Sequence, residues 1–332
     1  MKTSQFFKKV YLKNIFYLKF QLIDRNAKSG QSLTKSSNVN LVDSTELVPI
    51  NGKNVVLGEG CYGRCILKHF TRLGIRVVEK QSLNHDTGEM LKEAKVMQAL
   101  THKNIPAIIG VQLEKQPISL IIEFKGEQDT SVTISKLLSS EEDDQTLQNV
   151  QTSLTKNDWL IISHDLTEAL SHIHFKGFLH CDLKSNNVLV SNKHGYIIDF
   201  GKACDSSFPP AKKYSIVYSH IAPEVLTGSP CSKASDIFSL GKILLKVGGK
   251  HNIPILVSTA QKCLDANPAR RPTTTGIMAT IASIIIIIII IIITIIIIII
   301  ITNMIMACAS SLYLPIQTFV STPQLFMCLN SK

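Results

Sequence analysis

Apolar and polar positions change period several times along this 332-residue chain. Residues 1–49 hold no sustained period. FFKKVYLKNIFYLKF mixes aromatics with lysines, and SGQSLTKSSNVN is polar and serine-rich. The first stretch reads as a poorly ordered leader or as an amphipathic helix on a membrane surface, the second as a linker. From Lys53 the pattern tightens. KNVVLGEGCYGRCILKHF predicts a strand, a glycine turn and a second strand, and IRVVEK predicts a third. EMLKEAKVMQAL sets Leu91, Ala94, Met97 and Leu100 at helical spacing. PISLIIEF predicts a short buried strand, SSEEDDQTLQN an acidic polar insert, and WLIISHDLTEALSHIHFKG a helix closed by Gly177. Strands with one helix, then mostly helices, predict an α+β fold in which a small sheet lobe precedes a larger helical lobe.

From Ile281 the chain becomes almost pure isoleucine. A helix rises about 1.5 Å per residue, so the stretch 281–303 is long enough to span a bilayer. A translated simple repeat would look the same, and both readings stand. The formal charge of +10 suits acidic partners such as nucleotide phosphates, anionic lipid or acidic peptides, and equally a solvated basic surface. No apolar stretch follows MKTSQFFKK as a secretory signal would require. The eight cysteines show no paired framework, so they read as reduced cytosolic thiols, with Cys61 and Cys65 as packing residues rather than metal ligands.

Candidate chemistry lies in four segments. LGEGCYG offers Gly58, Gly60 and Gly63, whose backbone can approach phosphates and present N–H groups to them. Glu59, Cys61 and Tyr62 complete that turn, with Tyr62 at its tip. Leu57 and Cys65 flank it, either beside a purine ring or as packing in the small lobe. Lys80 ends a strand and can reach phosphates as a point charge. A buried lysine needs an acidic partner, and Glu93 is the first choice, Glu89 the second. In HCDLKSNNVLV, Asp182 can orient a hydroxyl proton, Lys184 can sit beside a transferring phosphate, and Asn187 offers an amide oxygen to Mg²⁺. YIIDFGKA adds the carboxylate of Asp199, at a spacing from Asn187 that suits the two strands of a hairpin. Singly, such features are commonplace: glycine hairpins recur, strand lysines are often exposed, and an aspartate usually marks a turn. Together and in this order they are hard to obtain by chance.

Over about residues 53–283 the set resembles the eukaryotic protein kinase family. Ala222-Pro223-Glu224 is similar to the segment that closes that family's activation loop. Asp236 is similar to its buried aspartate, which holds the catalytic-loop backbone, and Arg271 to the arginine that pairs with the closing glutamate, here Glu224. By the same resemblance Ile122 is the gatekeeper, and Glu123 and Lys125 bond adenine through their backbones. The resemblance implies ATP and Mg²⁺ as cofactors. Its partners are protein substrates rather than nucleic acid, with a membrane added through the isoleucine tail. It implies a cytoplasmic kinase domain, anchored through residues 281–303 if the tail spans a bilayer. Lys184 resembles serine/threonine kinases, with tyrosine as the alternative acceptor. A pseudokinase scaffold is the alternative function, but its usual losses at the lysine or either aspartate are not found. The expected boundaries are a leader and linker at 1–49, a kinase domain at 50–283 (lobes about 50–125 and 126–283), and a low-complexity tail at 284–332. Four departures stand out. Cys181 replaces the arginine that grips a phosphorylated activation loop. Val217 stands where a threonine contacts the catalytic site. The link between LGKILLKVGG and NIPILVSTAQKCL is short. Glu79, beside Lys80, is expected to face solvent.

Overall fold

A computed structural model describes residues 39–60, 63–82, 86–139 and 153–312. Expectations for the leader to residue 38, for Cys61 and Tyr62, for most of the acidic insert, and for 313–332 fall outside the described residues. The chain divides into two units, 1–281 and 282–332.

The first unit opens with six strands in one sheet: β1 (Leu47–Pro49), β2 (Val55–Gly60), β3 (Gly63–Phe70), β4 (Ile75–Ser82), β5 (Ile108–Gln112) and β6 (Ser119–Glu123). Their order is β1-β3-β4-β6-β5, with β2 also paired to β3 and the pairs antiparallel. Helix α1 (Thr87–Ala99) crosses between β4 and β5, capped by Asp86, whose carboxylate accepts from the N–H groups of Gly88 and Glu89.

Strand β4 runs through the middle of this sheet, hydrogen-bonded along both edges to β3 and β6. Val78 and Lys80 share one face with their cross-strand partners Ile122 and Leu120, while Val77 and Glu79 share the other. The second face carries a core of Val42, Leu47, Phe70, Val77, Ile109 and Ile121. Two expectations change here. Residues 39–49, assigned to a linker, pack on the sheet: Val42 donates to the Val111 carbonyl and Val111 to that of Asn40, while β1 pairs with β3. The serine-rich composition ends just before them, and Val42 and Leu47 supply the apolar anchors. Glu79, assigned to solvent, is buried, because it lies on the face that this segment covers. Ser119 Oγ donates to its Oε1 at 3.3 Å and Lys68 Nζ lies 3.7 Å from Oε2, which compensates the buried charge.

The helical lobe begins with β7 (Val132–Thr133) and α2 (Ile134–Leu138), followed by the long helix α3 (Lys156–Phe175). Thr155 and Asp158 form a reciprocal cap at the start of α3. Trp159, Ile162, Leu166, Leu170 and Ile173 recur at helical spacing and are almost wholly buried. Gly177, at φ +80°, turns the chain out of the helix. Short strands follow: β8 (Phe178–Leu179), β9 (Val188–Ser191), β10 (His194–Ile197) and β11 (Cys204–Asp205). β9 pairs with β10 and with β7, and β11 pairs with β8. Then come α4 (Pro223–Leu226), α5 (Lys233–Lys250), α6 (Pro254–Cys263) and α7 (Thr274–Leu312). Only residues 251–253 separate α5 from α6, in keeping with the short link read from sequence. Ile277 and Ile281 at the start of α7 are buried within the first unit. In the second unit the isoleucines from Ile286 to Ile301 are exposed, apart from half-buried Ile288.

Candidate functional site

Pairing in the sheet puts Cys65 opposite Lys80 and Lys80 opposite Leu120, so the lysine projects from the face that looks toward α1 and the helical lobe. Its ammonium donates to Glu93 Oε1 at 2.7 Å and Oε2 at 3.0 Å, and to Asp199 Oδ1 at 2.8 Å. Burial pushes the Lys80 pKa down, but the charges of Glu93 and Asp199 outweigh burial and hold it above the ordinary lysine value. For Asp199 burial pushes upward, and the Lys80 charge wins and keeps the carboxyl ionised. Glu93 does a second job: its Oε1 accepts from the Phe200 N–H at 3.2 Å, which ties α1 to the DFG segment. Asp199 sits at φ +66°, a left-handed conformation that aspartate tolerates better than most residues.

The β9–β10 hairpin sets the spacing between the two candidate metal ligands. Val188 pairs with Ile197, so Asn187 and Asp199 lie at the same end of that hairpin. Asn187 Nδ2 donates to the Asp182 carbonyl at 2.9 Å, which orients its amide across the 180–187 loop. Lys184 Nζ donates to Asp182 Oδ2 at 2.8 Å. The other oxygen, Oδ1, lies 2.9 Å from His220 Nε2. Burial pushes the Asp182 carboxyl up, yet the hydrogen bonds from His220 and Lys184 prevail and hold it at about 2.

Sequence reasoning missed His220. Val217, which stands where the resemblance places a threonine in contact with the site, is 80% exposed. His220 makes the contact instead, and its carbonyl is held by Ser239 Oγ at 2.6 Å. No local pattern signals this, because the partners are far apart in the chain.

Asp236 is 1% exposed and faces the 180–187 loop from α5. It accepts from the His180 N–H and the Cys181 N–H, each at 2.9 Å, and His174 Nε2 lies 2.9 Å from its Oδ2. Burial raises its pKa, and the His174 bond more than reverses that. Cys181 is thereby held at φ +63°, a conformation that costs a residue with a side chain about 1–2 kcal/mol. Below this, Arg271 forms a two-pronged pair with Glu224, at 2.7 Å and 2.8 Å, and also donates to the carbonyls of Asp265 and Ala234.

An open cleft is lined by Lys80, Glu93, Leu120, Asp182 and Asp199, among others. The structure thus brings together the basic strand end, the helix glutamate and both aspartates. Leu57, Cys65, Glu123 and Lys125 do not line that cleft. Glu123 pairs with Val77, accepts through its carboxylate from the Ala107 N–H, and is ion-paired with Lys125, whose ammonium also lies over the Tyr196 ring. Gly58, Glu59 and Gly60 are exposed on β2. A Cβ at Gly58 or Gly60 would meet nothing within 4 Å, so this fold does not itself demand glycine there.

A sheet lobe and a helical lobe, with charged groups from both meeting in one cleft, define the α+β two-lobed kinase scaffold. Residues 52–255 match the protein kinase domain, and the chain belongs to the protein kinase family. It is 29% identical over 201 residues to the human dual specificity testis-specific protein kinase 2, covering 58% of this chain and 33% of that protein. It is 27% identical over 228 residues to a probable serine/threonine-protein kinase of Dictyostelium discoideum, covering 67% of this chain and 36% of the relative. Against a serine/threonine-protein kinase of Arabidopsis thaliana the identity is 25% over 182 residues, or 53% and 21% of the two chains. The chain thus spans about a third or less of the length of these curated relatives.

Proposed function

We propose that this chain is an active kinase that transfers the γ-phosphate of ATP to serine or threonine hydroxyls of protein substrates. The carrying observation is the convergence of Lys80, Glu93, Asp182 and Asp199 on one cleft. Phosphoryl transfer asks a protein mainly for positioning and charge neutralisation. Lys80, kept cationic by its two carboxylate partners, binds the α- and β-phosphates. The backbone of Gly58, Gly60 and Gly63 faces the phosphate chain. Asp199 and Asn187 supply the hard oxygen donors that suit Mg²⁺. The chemistry a bound Mg²⁺ brings is neutralisation of charge on the phosphate oxygens. Asp182, ionised at neutral pH, orients the acceptor hydroxyl and receives its proton, while Lys184 sits beside the transferring group. Glu123 and Lys125 contact adenine through their backbones, with Leu57 and Cys65 flanking the ring.

The names of the Dictyostelium and Arabidopsis relatives favour serine and threonine as acceptors, and Lys184 agrees. The dual specificity named for the human relative, together with exposed Val217, favours tyrosine as the second reading. The test is incubation with Mg-ATP and a mixed protein acceptor, followed by phosphoamino-acid mapping. Phosphoserine and phosphothreonine are expected. Phosphotyrosine alone overturns the acceptor assignment, and nucleotide binding without transfer supports a non-catalytic scaffold.

The isoleucine tail supports a second proposal: α7 anchors the chain to a membrane with the kinase domain in the cytosol. Among the described residues it is the one helix long and apolar enough to cross a bilayer. Of the two flanking arginines, Arg271 is committed to Glu224 inside the domain, so Arg270 is the one exposed as a topological signal. In a flotation gradient the full chain is expected to rise with phospholipid vesicles, and a chain ending at residue 283 to remain below. Equal behaviour of the two rejects the anchor.

A further inference from the structure

Three thiols from three separate segments meet behind the catalytic loop. Cys181 precedes Asp182, Cys204 begins β11, and Cys231 precedes α5. Cys181 Sγ lies 3.5 Å from Cys204 Sγ, and Cys231 is near enough to raise the Cys181 pKa. Cys204 is buried, whereas Cys181 and Cys231 are partly exposed. Where the family resemblance implies an arginine, this chain has the central member of a thiol cluster.

We propose that Cys181 and Cys204 form a dithiol modification site, oxidised by hydrogen peroxide to a disulfide that slows phosphoryl transfer. The bond is within reach. The sulfurs need approach by only about 1.5 Å to reach a disulfide length of about 2.05 Å. The balance is simple. One thiol takes an oxygen atom from peroxide, giving a sulfenic acid and one water. The second thiol attacks that sulfur, releasing a second water, so two thiols and one peroxide give one disulfide and two waters. Hydrogen bonding with Cys181 pulls the Cys204 and Cys231 thiols below the usual range and pushes Cys181 up. A cytosolic disulfide of this kind is transient and redox-sensing rather than structural.

The effect on rate follows from position. Cys181 is already held in a left-handed conformation by Asp236, and it adjoins Asp182. Drawing its sulfur toward β11 displaces the catalytic loop, and a shift of about 1 Å at such a site can cost on the order of 10²-fold. The rate effect rests on the kinase reading above, but the linkage does not.

The experiment treats the full chain with graded hydrogen peroxide, blocks free thiols, and maps disulfides by tandem mass spectrometry, with transfer rate measured in parallel. A Cys181–Cys204 linkage is expected, with a rate loss of roughly tenfold or more, both reversed by dithiothreitol. Cys204→Ser, with Cys204→Ala as the second variant, should lose the linkage and keep its rate in peroxide. A free Cys181 and Cys204 at a dose that oxidises exposed Cys308 overturns the site. So does a Cys181–Cys231 linkage in its place. Linkage with an unchanged rate overturns the coupling to catalysis.

Discussion

Replacing Asp182 with asparagine is expected to lower phosphoryl transfer by about 10²–10⁴-fold, the usual range for losing a positioned proton acceptor, while leaving ATP binding unchanged. The substitution keeps the shape of the side chain and one carbonyl oxygen, so Lys184 retains an acceptor. It removes the negative charge and one of the two oxygens that hold Lys184 and His220. The acceptor hydroxyl then has no base to receive its proton. Lys80, Asp199 and Asn187 are untouched, so the groups assigned to the nucleotide and metal stay in place. The measurement pairs initial transfer rates with the affinity of a fluorescent ATP analogue. A variant that transfers phosphate at the wild-type rate overturns the role given to Asp182. The pH profile adds a second reading. Because His220 and Lys184 hold the Asp182 carboxyl at about 2, it remains charged throughout the neutral and mildly acidic range. Any fall in rate between about pH 7 and pH 5 must then come from another group, since an ordinary aspartate titrates near 3.9.

What could be read from the sequence was local. The glycine hairpin, the strand ending in Lys80 and helix α3 each carry their own periodicity, so their types follow from neighbouring residues. The HCDLKSNN and DFG segments are recognisable because their spacing is short and ordered. The features that escaped depend on contacts between distant segments. Strand β5 is a brief apolar run, IIGVQ, which alone does not distinguish strand from loop. A charged Glu79 beside Lys80 implies a strand with one wet face. Residues 39–49 cover that face, so the charge is buried beside Lys68 and Ser119. His220 meets Asp182, and Cys181 meets Cys204, only because the chain between them folds back. Period and spacing carry no record of such meetings.

Asp236→Ala is expected to produce the largest stability loss, because the carboxylate is the shared acceptor for the loop that carries Asp182. At 1% exposure it holds the His180 and Cys181 N–H groups and faces His174. Truncation leaves two backbone donors buried without an acceptor, each costing about 1–3 kcal/mol, and strands a histidine built to face a charge. The sum is comparable to the roughly 3–5 kcal/mol of breaking a buried ion pair. In a domain of this size that lowers the melting temperature by about 6–20 °C. Activity should fall further than stability explains, because Cys181 has no reason to stay at φ +63° once its N–H is released. Displacement of Cys181 moves Asp182 with it. The pH dependence has a definite sign. Asp236 is held below the ordinary aspartate value, so the stability it contributes is complete above about pH 4 and fades as pH falls through its lower folded value. The gap in unfolding midpoint between wild type and Asp236→Ala should therefore be constant from neutral pH down to about pH 4 and narrow below it. Denaturant melts across that range check both statements. A gap that is small at neutral pH, or that widens in acid, would show that the loop is held by something other than this carboxylate.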